Sequence, residues 1–178
     1  DTPREDAKEV IQKLRNMGLT HLIMLTGDNQ RVADAVAKEI GIDDPKGNLM
    51  PEDKVEAVKK LRESEGHVAM VGDGVNDAPA MANSTVGIAM GAAGSDVALE
   101  TADVALLADK ISVLPFAIGL SRKAKSIIQQ NLWISLGMVA LLVPATILGL
   151  SMGWAVIGHE GSTVVVVFNA LRLLAYKS

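Results

Sequence analysis

Apolar runs of strand length alternate with helical patterns over the first 110 residues. Strands are predicted where four to five mostly apolar residues follow one another, and helices where apolar residues recur three and four apart. This alternation predicts an α/β domain with a doubly wound parallel sheet. The predicted strands are residues 21–25, 67–71, 86–90 and 104–107, and residues 42–49 are predicted as a loop with at most a short strand.

The helix boundaries follow from capping and stop signals. Thr2, Pro3 and Glu5 match a capping box, and Gly18 ends the first helix. Gly41 ends the second helix in the same way, since glycine favours the backbone conformation found just after a helix. Further helices are predicted from Pro51 to about residue 65, over residues 78–83 and over residues 95–100.

The last third of the chain has a different character. Residues 132–150 and 154–174 are two apolar stretches, each close to the roughly 20 residues that a bilayer crossing needs. Glu160 is the only formally charged residue between positions 126 and 171. A buried hairpin of a soluble protein is the alternative, but the small domain upstream could not cover two such helices. We therefore expect a transmembrane hairpin.

The predicted organisation has four parts. Residues 1–110 form the α/β domain, 111–130 a connecting cytoplasmic helix, 131–174 the two transmembrane helices and 175–178 a cytoplasmic tail. Basic residues flank both outer ends of the hairpin, and none lies in its turn, so the positive-inside rule places the domain and the C-terminus in the cytoplasm. These residues are Arg122, Lys123, Lys125, Arg172 and Lys177.

Charge and cysteine content restrict the chemistry. The net charge of −4 gives no support to nucleic-acid binding. Because the chain has no cysteine, a bound metal must be held by oxygen or by one of three histidines. The chain also opens without an initiator methionine, and we interpret it as a fragment whose N-terminal part lies elsewhere.

Three polar elements lie at predicted strand ends or helix starts. Asp73 and Asp77 follow one strand, and two carboxylates four residues apart suit Mg²⁺. Thr26, Gly27 and Asp28 follow another strand, and Lys54 lies in the first turn of a helix, an unfavourable place unless an anion is near. Each element alone is equally compatible with an ordinary turn. Together they offer three ways of compensating phosphoryl charge.

These elements resemble motifs two, three and four of the haloacid dehalogenase superfamily, and more narrowly the phosphorylation domain of P-type ATPases. The matching segments are residues 26–29, 51–54 and 72–79. The resemblance implies that Thr26 and Gly27, with Asp28, hold the phosphoryl group, and that Lys54 neutralises an aspartyl-phosphate formed from ATP. It also implies that Asp73 binds Mg²⁺, and that Asn76 and Asp77 order the phosphoryl group and its surroundings.

One part of the family pattern is missing. The phosphorylated aspartate, in an Asp-Lys-Thr-Gly-Thr motif, does not occur in this sequence. The nucleotide-binding and actuator domains do not occur either. We therefore expect the C-terminal segment of a pump, inactive without the N-terminal part, in a bacterial plasma membrane.

Polar residues in the second apolar stretch predict the transported ion. His159, Glu160, Ser162 and Thr163 interrupt an otherwise apolar helix, and intramembrane ionisable groups are functional by default. Histidine and carboxylate ligands suit Co²⁺, Zn²⁺, Ni²⁺ or Fe²⁺ better than Cu⁺. A structural role for Glu160 and His159 near the membrane surface is the alternative.

The segment 159–163, followed by Asn-Ala-Leu-Arg at 169–172, resembles the last transmembrane helix of heavy-metal P-type ATPases of the cobalt subgroup. We therefore expect Co²⁺ export, with Zn²⁺ or Cd²⁺ as the alternative cargo. Two other readings stay open at this point. One is a membrane-tethered phosphatase with a structural hairpin, and the other is a regulatory fragment that binds phosphate or Mg²⁺ without catalysis.

Overall fold

A computed structural model describes residues 3–72, 76–91, 100–107 and 110–177. The chain divides into two compact units, residues 1–115 and residues 116–178. The first unit contains short strands and helices in alternation, as the hydrophobic pattern predicts. Its described elements are α1 (Ala7–Asn16), β1 (Ile23–Leu25), α2 (Gln30–Ile40), β2 (Asp44–Lys46), α3 (Pro51–Glu65), β3 (Ala69–Gly72), α4 (Ala78–Asn83), β4 (Val86–Met90) and β5 (Val104–Leu106).

All strand pairs that the structure describes in the first unit are parallel, which confirms the predicted α/β architecture. The strands nevertheless form two sheets rather than one, because β1 pairs only with β2 while β3, β4 and β5 pair in that order within the described residues. The register places Leu25 opposite Lys46 in the first sheet and Gly72 opposite Ala89 in the second. β1 and β3 thus each have one hydrogen-bonded neighbour in the part of the chain that the structure describes.

The start of α1 differs from the prediction. The helix begins at Ala7, and the residue before it, Asp6, makes no capping hydrogen bond with its side chain. A turn closed by the Ala7 N–H and the Arg4 carbonyl (3.0 Å) precedes the helix, so Glu5 lies outside it and the predicted capping box is wrong. Thr2 lies outside the described residues, as does most of the helix predicted at 95–100.

Other boundaries agree closely with the sequence pattern. Helix α4 and strand β4 have the predicted limits, and α3 begins at Pro51 and ends at Glu65. Gly41 and Gly66, just after α2 and α3, have positive φ angles of 87° and 80°. Glycine adopts this conformation without steric cost, which explains why both helices end there.

Small and flexible side chains form the core between the second sheet and its helices. Met81 of α4 and Val58 of α3 are almost fully buried, and Ala89 of β4 is completely buried. Met70 and Ala80 complete this cluster, and Leu25 and Val55 pack against it. The residues that follow Leu25 and precede Val55 in the chain are Thr26 and Lys54, so the core fixes the backbone beside two predicted site residues.

The second unit is dominated by two long helices, and a short 3₁₀ helix follows them. Helix α5 runs from Val113 to Ile147 without interruption and contains Pro144, and α6 spans Met152–Leu171. A 3₁₀ turn follows at Arg172–Ala175. Both helices are long and apolar enough to cross a membrane, and about 6% of each apolar window is buried. Their large apolar side chains therefore lack a protein partner over most of their surface in the described chain.

Contacts between α5 and α6 include a glycine and several polar side chains. A Cβ atom added to Gly158 would lie 3.2 Å from Cδ2 of Leu142, so glycine permits close approach there. Nearer the chain end, the Asn169 amide donates to the Asn131 side-chain oxygen at 2.8 Å and to that of Gln130 at 3.2 Å. Arg172 donates to the Asn169 side-chain oxygen at 2.8 Å.

Candidate active site

The loop after β1 is organised by hydrogen bonds among its own residues. The Thr26 hydroxyl accepts from the Asp28 N–H at 3.1 Å and lies 3.2 Å from Oδ2 of Asp28, to which it can donate. Asn29 caps α2 by accepting from the Val32 N–H at 3.0 Å. Thr26 is half-buried, whereas Gly27 and Asp28 are exposed. The loop therefore presents backbone and side-chain polar groups to solvent at the N-terminus of an eleven-residue helix.

The segment after β2 runs beside this loop and holds it. The Leu49 N–H donates to the Thr26 carbonyl at 3.1 Å, and the Asn48 N–H donates to the Asp28 carbonyl at 2.6 Å. Asn48 has a φ of 56°, a left-handed conformation that asparagine tolerates better than most residues. Met50, the next residue after Leu49, is the N-cap of α3. The loop after β1 is thus connected directly to the helix that carries Lys54.

Lys54 and Asp77 form a mostly buried ion pair. Nζ of Lys54 lies 2.7 Å from Oδ1 of Asp77, and the two side chains are only 16% and 17% exposed. The anion expected near Lys54 is therefore a carboxylate of the same domain. Asp77 precedes α4 and makes no capping bond with its side chain, because that side chain is directed to Lys54 instead.

Gly72 makes room for the Asp77 side chain, a role that the sequence did not reveal. A Cβ atom at Gly72 would lie 2.7 Å from both Cβ and Oδ2 of Asp77. Such a distance is too short for a real contact, so any larger residue at position 72 must displace Asp77. A glycine at this place can serve either a sharp turn or the close approach of another group, and what the structure requires is the close approach of Asp77. No local sequence signal distinguishes the two roles, since both need only glycine.

The proposed Mg²⁺ ligands are only partly described. Asp73 lies outside the described residues, and Asn76 is exposed in the bend before Asp77. Asp77 directs Oδ1 to Lys54 and packs against Gly72. Among the described residues, no three acidic or histidine side chains converge on a metal site. Oxygen donors suit Mg²⁺, but Asp77 fits the role of Lys54 partner better than that of a ligand, and Asp73 is the remaining candidate.

The candidate residues for a transported ion face different directions on α6. His159, Glu160 and Thr163 are exposed, whereas Ser162 is buried with 7% exposure. The Ser162 hydroxyl donates to the His159 carbonyl at 2.6 Å. Because Gly158 lies one turn before Ser162 and approaches Leu142, the Ser162 side of the helix is the one packed against α5. Ser162 therefore does not share an open face with His159 and Glu160.

Comparison with known proteins agrees with this architecture. The haloacid dehalogenase-like hydrolase family matches residues 1–85. A probable cadmium-transporting ATPase of Staphylococcus aureus (strain MRSA252) is 49% identical over 178 residues, covering 99% of this chain and 24% of that protein. A zinc-transporting ATPase of Bacillus subtilis (strain 168) is 47% identical over 175 residues, covering 98% of this chain and 27% of that protein.

A solved structure extends the match to three dimensions. The crystal structure of a zinc-transporting PIB-type ATPase in the E2.Pi state aligns with a TM-score of 0.88 and 48% identity, over 98% of this chain and 28% of that one. The chain is homologous to heavy-metal P-type ATPases. This confirms the resemblance and the haloacid dehalogenase-like fold. The chain spans about a quarter of the length of the curated relatives it matches.

The comparisons are less specific about the metal. The relatives named above are described as transporting cadmium or zinc, so the expected alternative cargo agrees with them, whereas none of these names mentions cobalt. The sequence similarity to these relatives extends across both units of this chain, since 99% of the chain is aligned with the Staphylococcus aureus protein. The hairpin is therefore part of the shared sequence together with the α/β domain.

Proposed function

We propose that this chain is the C-terminal part of an ATP-driven exporter of divalent heavy-metal cations that works through an aspartyl-phosphate. The observation that carries the proposal is the series of contacts joining the Thr26 loop, the start of α3 and the buried Lys54–Asp77 pair. It supports a single site at which a phosphoryl group meets a hydroxyl, backbone N–H groups and an ammonium group. Such pre-arranged donors stabilise charge as it develops during phosphoryl transfer.

Each residue then has a distinct task. Thr26 and Gly27 bind phosphoryl oxygens through hydroxyl and backbone groups, and Asp28 keeps the Thr26 hydroxyl oriented. Lys54 compensates negative charge, and Asp77 holds the Lys54 ammonium group in place at 2.7 Å. Asn76, which precedes Asp77 in the chain, is exposed and available to order the phosphoryl group. Mg²⁺, supplied with ATP and held by Asp73, would add positive charge at the phosphoryl oxygens.

The nucleophilic aspartate would come from a strand outside this chain. β1 and β3 carry the Thr26 loop and the Asp77 segment at their carboxyl ends, and each lacks a second hydrogen-bonded neighbour among the described residues. A parallel strand inserted between them would join the two sheets into one. Its carboxyl end would also bring a reactive carboxylate between Thr26 and Lys54, where a parallel sheet places its functional groups.

The cargo is proposed to bind at the exposed face of α6. His159, Glu160 and Thr163 are available there for ligands contributed by other helices of the pump, whereas Ser162 is engaged inside the hairpin. Imidazole, carboxylate and hydroxyl donors suit Zn²⁺ and Co²⁺. The names of the relatives favour Zn²⁺ or Cd²⁺, and the resemblance of the segment 159–163 to the cobalt subgroup favours Co²⁺. The basic residues at both hairpin ends support a cytoplasmic location of the α/β domain, and the bacterial organisms of the named relatives support a bacterial plasma membrane.

The test is ATP hydrolysis by the complete purified pump in the presence of Zn²⁺, Cd²⁺, Co²⁺, Ni²⁺ or Cu⁺. We expect one or more divalent ions to stimulate hydrolysis, Glu160→Ala to abolish this stimulation, and Asp73→Asn to stop all turnover. Stimulation by Cu⁺ alone would refute the cargo assignment. Hydrolysis that no metal stimulates, and that Glu160→Ala leaves unchanged, would instead support a phosphatase with a structural hairpin.

A further inference from the structure

The side chain of Gln30 joins the start of α2 to the end of β2, beside the Thr26 loop. Gln30 is the first residue of α2 and is half-buried. Its Oε1 accepts from the Gly47 N–H at 2.7 Å, and its Nε2 donates to the Pro45 carbonyl at 3.0 Å and to Oδ1 of Asp34 at 2.8 Å. We infer that Gln30 is a positioning residue for phosphoryl transfer, which holds the loop at residues 26–29 in its phosphate-binding position. This inference rests on the proposed function of that loop.

Both ends of the loop are fixed to the same strand. At its start, the Thr26 N–H donates to the Lys46 carbonyl at 3.0 Å, extending the pairing of β1 with β2. At its end, Gln30 binds the backbone of Pro45 and Gly47, which are the residues on either side of Lys46. Because only three residues, 27–29, separate these two anchors, the distance between the anchors restricts where the Gly27 and Asp28 backbone can lie.

Asp34 determines which way the Gln30 amide points. With Nε2 directed to the carboxylate of Asp34 and to the Pro45 carbonyl, Oε1 is left to accept from Gly47. A glutamate at position 30 would place its carboxylate beside two oxygen acceptors, so it could not replace the amide. A methionine has nearly the same length but makes none of these three bonds.

Gly47 independently indicates that this contact is tight. A Cβ atom at Gly47 would lie 2.7 Å from Cα and 2.8 Å from N of Gln30, and 2.9 Å from the Asp28 carbonyl oxygen. All three are backbone atoms, which cannot move aside as a flexible side chain would. An alanine at position 47 must therefore displace the end of the loop. Misplacement by about 1 Å can lower the rate of a positioned reaction by about 100-fold.

The experiment uses the complete metal-stimulated pump and measures inhibition by orthovanadate, which resembles a transferring phosphoryl group. We expect Gln30→Met to weaken orthovanadate inhibition and lower kcat by about ten-fold each, which corresponds to the loss of roughly one well-formed hydrogen bond at the site. KM for ATP and the metal concentration for half-maximal stimulation should change less than two-fold, because nucleotide and cargo bind elsewhere. Gln12→Met, on the exposed face of α1, is the matched control and should behave like wild type.

Two further variants distinguish a loss of loop positioning from misfolding. Asp34 is exposed, so Asp34→Ala should fold normally and weaken orthovanadate inhibition by about two- to three-fold, since it frees the amide of Gln30 without removing it. Gly47→Ala should resemble Gln30→Met in kcat and orthovanadate inhibition. The melting temperature of each variant is measured in parallel to separate positioning from unfolding.

The outcomes distinguish this inference from the proposed function. If orthovanadate inhibits the wild-type pump and inhibits Gln30→Met, Asp34→Ala and Gly47→Ala equally well, Gln30 does not position the loop. Equal loss of orthovanadate, ATP and metal affinity together with a lowered melting temperature would also overturn the inference, since it would indicate a general structural role. Absence of orthovanadate inhibition in the wild type would refute the proposed phosphoryl transfer itself.

Discussion

The Lys54–Asp77 pair gives the sharpest prediction for the α/β domain. At 2.7 Å, two unit charges attract by about 6 kcal/mol if the effective dielectric constant is about 20. The cost of burying both charges offsets most of this attraction. Removing one partner of a fully buried pair costs about 3–5 kcal/mol, because the other charge is left without compensation.

The partial exposure of the Lys54–Asp77 pair reduces the expected cost of removing one partner. Both side chains keep about one sixth of their surface in contact with water, at 16% and 17% exposure. We therefore expect Lys54→Met to destabilise the contact between α3 and α4 by about 2–3 kcal/mol. The double variant Lys54→Met/Asp77→Asn leaves no unpaired charge, and it should recover at least half of this loss.

Hydrogen exchange of the complete pump, followed by mass spectrometry, measures this local stability. Peptides covering α3 and α4 should exchange about 30- to 150-fold faster in Lys54→Met, and much of the protection should return in the double variant. Both variants should nevertheless lack the phosphorylated intermediate. Unchanged exchange in Lys54→Met would refute the energetic argument, and phosphorylation at wild-type level would refute the role of Lys54.

Other variants test neighbouring features. Gly72→Ala must displace Asp77, and we expect it to lower phosphorylation at least ten-fold, as measured with radiolabelled ATP, because a misplaced partner also misplaces Lys54. Ser162→Ala should leave metal-stimulated hydrolysis within two-fold of wild type, since among the described residues the Ser162 hydroxyl bonds within its own helix. Asn169→Leu leaves Asn131 without its donor and should destabilise the hairpin by about 0.5–2 kcal/mol, seen as a lower melting temperature in nanodiscs.

Periodicity and stop signals were sufficient for much of the fold. The limits of α4 and β4 follow from short runs of alanine, methionine and valine between polar residues, and glycine marks the ends of α2 and α3. The capping box at Thr2 and Glu5 was a false signal, because local side-chain patterns do not show whether the chain turns once before the helix begins. The turn closed by Arg4 and Ala7 decides this instead.

The part of the candidate site around Lys54 was predictable from the electrostatics of a helix N-terminus. Lys54 in the first turn of a helix is unfavourable without an anion, and this alone indicated a partner. That the partner is Asp77 depends on the packing of α3 against α4, which no local pattern specifies. The bonds from Gln30 to Pro45, Gly47 and Asp34 were missed for the same reason, since glutamine at the start of a helix has no distinctive signal.

The division of the strands into two sheets connects these observations. β1 ends at the Thr26 loop, and β3 ends near Asp77, yet the two strands are not paired with each other in the described chain. The polar groups proposed to compensate phosphoryl charge therefore lie at the ends of two strands that one further parallel strand could join. Lys54 pairs with Asp77 after β3, and the helix that carries Lys54 follows Leu49, whose N–H donates to the Thr26 carbonyl. A further parallel strand carrying the reactive aspartate would supply both a hydrogen-bonded neighbour for β1 and β3 and the nucleophile. The proposed strand would account both for the absence of that aspartate from the sequence and for the unpaired edges of β1 and β3 among the described residues.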